Sequence, residues 1–148
     1  MALLTRKVDY AILVLSYLHR RAEGGCAREM AAHLGLSRAF VANILKELCH
    51  KGFVTSHRGV KGGYAIARPV DGVTLAEFIE SLDEHPFQLA ACNQDTPGDG
   101  CSLFDGCPVR GPVAEVHRRL RAVLSGVTLA ELFGPAEAPE PELLSLGV

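Results

Sequence analysis

Five cysteines are spread unevenly over the 148 residues. Cys92, Cys101 and Cys107 fall in one glycine- and proline-rich stretch, separated by eight and five residues. Cys26 and Cys49 stand alone in turn or helical contexts and read as ordinary buried thiols. An odd count excludes complete pairing into disulfides. The N-terminal residues also lack the cleavage site of a secretory signal, so metal or redox chemistry is the expectation. Three thiolates from one glycine-rich loop suit a metal centre, with nearby amides able to donate hydrogen bonds to the sulfurs. Three cysteines leave one iron, or one zinc, without its fourth protein ligand. The spacing lacks the paired C-x2-C hooks of a zinc ribbon. A structural zinc site, or three unligated thiols, is the competing reading.

A second set of residues suits nucleic acid. Gly35-Leu36 makes a tight turn between two apolar-striped segments, and Ser37 can cap the second of them. Arg38, Asn43 and Lys46 lie off that segment's apolar stripe. Arg58 and Lys61 are interleaved with Gly59, Gly62 and Gly63, which tolerate the backbone turns of a hairpin tip. Arg38 and Asn43 suit base edges, because arginine pairs with guanine and asparagine with adenine in the major groove. Ser37 and Lys46 suit phosphates, and Arg58 suits a narrow minor groove. The bland alternative leaves Asn43 on a solvated helix face. Charge favours the DNA reading. The net of −2 hides +7 on residues 1–70, with 11 Lys/Arg against 4 Asp/Glu, and −9 on residues 71–148, with 4 against 13.

These side chains need elements to position them. Thr5 can cap a first helix, Arg6 to about Arg21, with Val8, Ile12, Leu15 and Leu18 as its stripe. Ala27–Leu34 and Arg38–His50 form the helix-turn-helix, the latter striped by Val41, Ile44, Leu45 and Leu48. Phe53–His57 and Tyr64–Ala67 read as the two strands of a wing. Thr74 and Glu77 form a capping box for a short helix ending near Leu82, and Val127–Leu132 repeats that pattern. Asp83–Asp105 is a long loop holding the cysteines. A last long helix starts between Pro108 and Pro112, ends at Ser125, and is striped by Val113, Val116, Leu120, Val123 and Leu124. With no second long helix to receive it, that stripe predicts homodimerisation, packing on the first helix being the alternative. The fold expected is mainly α with a small β wing. Residues 1–70 make a winged helix-turn-helix, 71–134 the cluster loop and dimerisation helix, and 135–148 a disordered tail. No run reaches the roughly 18 apolar residues of a membrane span, so a cytoplasmic protein with no membrane partner is expected.

Leu4-Thr5…Asp9-Tyr10-Ala11, Gly35-Leu36-Ser37, Leu45…Leu48…Gly52 and Gly59…Gly62-Gly63-Tyr64 resemble the Rrf2 superfamily of bacterial winged-helix regulators. Val73-Thr74-Leu75, the three loop cysteines and Cys107-Pro108 continue the resemblance over about residues 3–134. It implies a homodimer that binds palindromic promoter DNA, with Cys92, Cys101 and Cys107 holding an iron–sulfur cluster. That cluster would sense nitric oxide, redox state or iron–sulfur status. A 4Fe–4S cluster is the preferred reading and 2Fe–2S the alternative. IscR-like members place a histidine three residues after the last loop cysteine, where this chain has Arg110. NsrR-like members use an aspartate from the partner's first helix, a position matched by Asp9. His33 is the alternative fourth ligand. Asp9 as a plain first-turn acid complementing the helix dipole is the bland reading.

The expectation is a transcriptional repressor under cluster control. A cluster-free thiol switch on the same fold, or an iron–sulfur electron carrier, are the alternatives. Nothing points to an enzyme: no nucleophile–base pair, phosphate-cradling loop or HExxH is present.

Overall fold

Thr5 adopts extended backbone and its hydroxyl accepts from the Val8 amide at 3.4 Å, which starts α1 (Arg6–His19). The computed structural model describes residues 4–59, 62–83, 88–90 and 101–135. Cys92, Lys61 and the expected tail from residue 136 lie outside them. Helix α1 buries Val8, Ala11, Val14, Leu15, Tyr17 and Leu18, while Ile12 is only half-buried. The helix ends two residues earlier than its pattern suggests, at His19.

Helices α2 (Ala27–Leu34) and α3 (Arg38–His50) match their sequence limits. Between them Gly35 takes φ +66°, a left-handed conformation that disfavours side-chain-bearing residues. The Ser37 hydroxyl accepts from the Phe40 amide at 3.2 Å and fixes the start of α3. Val41, Ile44, Leu45 and Leu48 turn inward onto α1 and α2. Strands β1 (Val54–His57) and β2 (Gly63–Ile66) pair antiparallel, Val54 opposite Ile66 and His57 opposite Gly63.

The wing does not hang free. The Gly25 amide donates to the Tyr64 carbonyl at 2.9 Å, and the Tyr64 amide donates back at 2.7 Å. This close approach requires glycine. A Cβ on Gly24, whose φ is +78°, would lie 2.3 Å from the Tyr64 oxygen. One on Gly63 would lie 2.6 Å from the Gly25 oxygen.

Helices α4 (Leu75–Leu82), α5 (Arg110–Ser125) and α6 (Leu129–Phe133) follow a short 3-10 turn at Val70–Gly72. The two similar segments around Thr74 and Thr128 lie side by side: the Leu75 amide donates to Val127 and the Leu129 amide to Val73. The reciprocal capping box forms at Thr128, where Glu131 returns a bond to the cap amide. At Thr74 it is only half made, because the Glu77 carboxylate instead accepts from Arg68 at 2.6 Å. One continuous core joins α1–α3 to α4 and α6. Phe53 and Phe78 meet edge to face at 5.0 Å, and Leu15, Met30, Leu45, Leu48, Phe78 and Leu129 are fully buried. Each such side chain contributes roughly 1.5–3 kcal/mol. Helix α5 packs on α4, and none of its described residues is buried.

Gly24→Ala combines positive φ with a clash against backbone and is expected to cost about 1–3 kcal/mol. Gly72→Ala, with open space around its Cβ position, is expected to stay within about 0.5 kcal/mol of the parent. Thermal unfolding followed by circular dichroism checks both, and equal midpoints for the two variants would contradict the docking geometry.

Candidate nucleic-acid interface and cysteine loop

The outer face of α3 is open. Arg38, Asn43 and Lys46 are exposed, as are Ser37 before the helix and Arg58 at the end of β1. Helical geometry puts Asn43 and Lys46 on one ridge, three residues apart, with Arg38 roughly 140° round from Asn43. Arg38 instead lines a cleft towards the wing with Arg28 and Arg58. The Ser37 oxygen is engaged in capping α3, yet its hydroxyl hydrogen is still available for a phosphate. At the wing tip, Gly59 has φ +129° and its carbonyl accepts from the Gly62 amide at 2.8 Å. A Cβ on Gly62 would lie 2.8 Å from that carbonyl, so the reversal needs its glycines.

The first turns of α1 press on the DNA-reading helix. Lys7 pairs with Glu47 at 2.8 Å, and Tyr10 meets Phe40 edge to face at 5.1 Å. Neither contact was visible from periodicity, since each joins residues more than 25 positions apart without a pattern to mark them. Asp9 lies in this same first turn, exposed.

Cys101 and Cys107 are half-buried free thiols at the two ends of a run of turns. The Phe104 amide donates to the Cys101 backbone carbonyl, and the Arg110 amide to that of Cys107. Arg110 closes this run from outside: its guanidinium donates to the Phe104 carbonyl at 3.0 Å and lies 3.9 Å over the Phe104 ring. An arginine has no lone pair for a metal, so this position holds the loop rather than a ligand. Among the described residues no three His, Cys, Asp or Glu side chains gather as a metal site. Within one chain, then, Asp9 is not brought to Cys101 and Cys107. The His33 ring packs 5.1 Å from that of Tyr17, beside Arg20 and Arg21. Tyr17 is eight residues beyond Asp9, roughly 12 Å along α1.

The two remaining cysteines differ from each other. Burial pushes the Cys49 thiol up, keeping it protonated and unreactive. Cys26 is no plain core thiol: it stands half-exposed at the start of α2, makes no side-chain cap bond, and faces the wing cleft.

A helix-turn-helix with a docked, basic two-stranded wing defines a winged-helix DNA-binding protein. Comparison with known proteins agrees. The family model Rrf2, described as an iron-dependent transcriptional regulator, matches residues 4–135. A Mycobacterium tuberculosis protein named "Putative HTH-type transcriptional regulator" is 32% identical over 142 residues, which covers 90% of this chain and 82% of that protein. Among solved structures, IscR of T. potens matches with a TM-score of 0.65 at 24% identity, over 87% of this chain and 84% of that one. CymR of B. subtilis, a global cysteine regulator, matches with 0.69 at 21%, over 90% and 97%. The chain belongs to the Rrf2 family of winged-helix transcriptional regulators.

Asn43→Ala is expected to narrow the affinity gap between the chain's own promoter DNA and unrelated DNA by about 1–3 kcal/mol, with an unchanged salt slope. Fluorescence anisotropy on the two duplexes checks this. An equal loss on both would make Asn43 a backbone contact.

Proposed function

We propose that the chain works as a homodimeric repressor whose promoter binding is governed by an iron–sulfur cluster. The reading assigns three ligands to Cys92, Cys101 and Cys107, and the fourth to Asp9 of the partner subunit. Two thiols half-open at the ends of one run of turns fit such a donor set, with amides of the same turns nearby. The exposed stripe of α5, with Val116 and Val123 48% and 64% exposed, supports a second copy as its cover. Bound there, the cluster would supply reactivity towards nitric oxide and oxidants.

The observation that carries the reading is where Asp9 sits. Its turn of α1 also bears Lys7 and Tyr10, which grip α3 through Glu47 and Phe40. A pull on Asp9 from the partner therefore moves the base-reading helix and changes the spacing of the two half-site readers. A carboxylate is the hardest donor of the set, so Asp9 would be the weakest-holding ligand of a bound cluster. Arg110, engaged with Phe104, does not compete for that role.

Protein purified without oxygen is expected to show visible absorbance with about four irons and four sulfides per chain. Cys101→Ala and Cys107→Ala lose the colour. Asp9→Ala retains folding but alters the spectrum and the response to nitric oxide. A colourless parent, free of iron after reconstitution, overturns this reading and leaves Cys101 and Cys107 as a thiol switch on the same fold.

A further inference from the structure

Between the start of α2 and the outer face of the wing lies a cleft of about 460 Å³. Arg28, Arg38, Arg58 and His57 line it, and no carboxylate does. Glu23 and Glu29 line an adjoining cleft, which shares Cys26, His57, Gly62, Gly63 and Tyr64 with this one. Among the described residues the ion pairs join Lys7 to Glu47, Arg68 to Glu77, Glu115 to Arg118 and Arg119, and Arg121 to Glu80. None of them neutralises the cleft. The opening amides of α2 face the same region without a side-chain cap, adding the positive end of the helix.

Position adds to charge. The cleft separates the start of α3 from the wing. When α3 lies in the major groove and the wing tip in the adjoining minor groove, the DNA strand dividing the two grooves must pass between them. The floor of the cleft is fixed, because the Gly25–Tyr64 hydrogen bonds tie its two walls together.

We propose that this cleft seats a backbone phosphate of double-stranded DNA, held by Arg28 and His57, two residues with no role in the base-reading face, and flanked by Arg38 and Arg58. The assignment rests on the DNA-binding reading and refines it: Arg28 and His57 set affinity and register, and Asn43 sets sequence preference. Guanidinium groups suit this task because they meet phosphate oxygens in a fixed fork.

The test is anisotropy of the full chain on two short labelled duplexes, the DNA upstream of its own gene and an unrelated sequence, over a potassium chloride series. Both Arg28 and His57 are exposed, so Arg28→Gln and His57→Gln leave the core intact. Each variant is expected to bind both duplexes several-fold more weakly by the same factor. The slope of log affinity against log salt should be shallower by about 0.9 for each phosphate that the variant no longer neutralises. Arg20→Gln, an exposed charge at the far end of α1, should leave the slope unchanged. Unchanged affinity and slope in Arg28→Gln, or an equal slope change in Arg20→Gln, would overturn the phosphate seat while the parent still binds DNA. A parent that binds neither duplex would overturn the DNA-binding reading, and this one with it.

Discussion

The pair of hydrogen bonds between Gly25 and Tyr64 is the contact on which the DNA-facing half depends. A two-stranded ribbon is marginal by itself in water. Here it gains a third partner in the turn before α2, at a separation that only glycine at positions 24 and 63 allows. The result is a rigid angle between wing and helix-turn-helix. It lets exposed cations on different elements, Arg28 on α2, Arg38 on α3 and Arg58 on the wing, face one cleft.

That unit is gripped from behind by α1. Its middle and last turns supply core side chains, Val14, Leu15 and Leu18 among them. Its first turns add Val8 and Ala11 to that core and also hold α3 through an ion pair and an aromatic edge contact. Such contacts, half in solvent, are individually weak, on the order of 1 kcal/mol or less. They suit a coupling that must shift between two arrangements, whereas the buried Leu45 and Leu48 suit one that must not. Helix α5, with an apolar stripe and no buried residue, leaves the other half of the molecule open to a second chain.

Much of this was legible in the sequence where local physics decides. The caps at Thr5, Ser37 and Thr128, the turn at Gly35, and the stripes of α2 and α3 are short-range signals, and they form as read. What local spacing does not show is long-range partners. Glu77 leaves its cap for Arg68, and Arg38 lies towards the wing rather than beside Asn43. Cys26 faces a cleft because the wing docks there, and His33 packs on Tyr17 because α2 folds back along α1. Arg28 and His57 escaped notice for the same reason: nothing in their spacing reveals that they line one cleft. Cys92 and Lys61 fall outside the described residues.

The most direct test of the account is promoter affinity measured for one preparation before and after its iron is removed by a chelator under reducing conditions. If the loop cysteines govern the recognition helices through the start of α1, affinity for the chain's own upstream DNA changes at least about tenfold, a coupling near 1.4 kcal/mol. Affinity for unrelated DNA then stays the same. Identical promoter affinities for the loaded and stripped protein would contradict the account, leaving the two halves of the chain physically joined but functionally uncoupled.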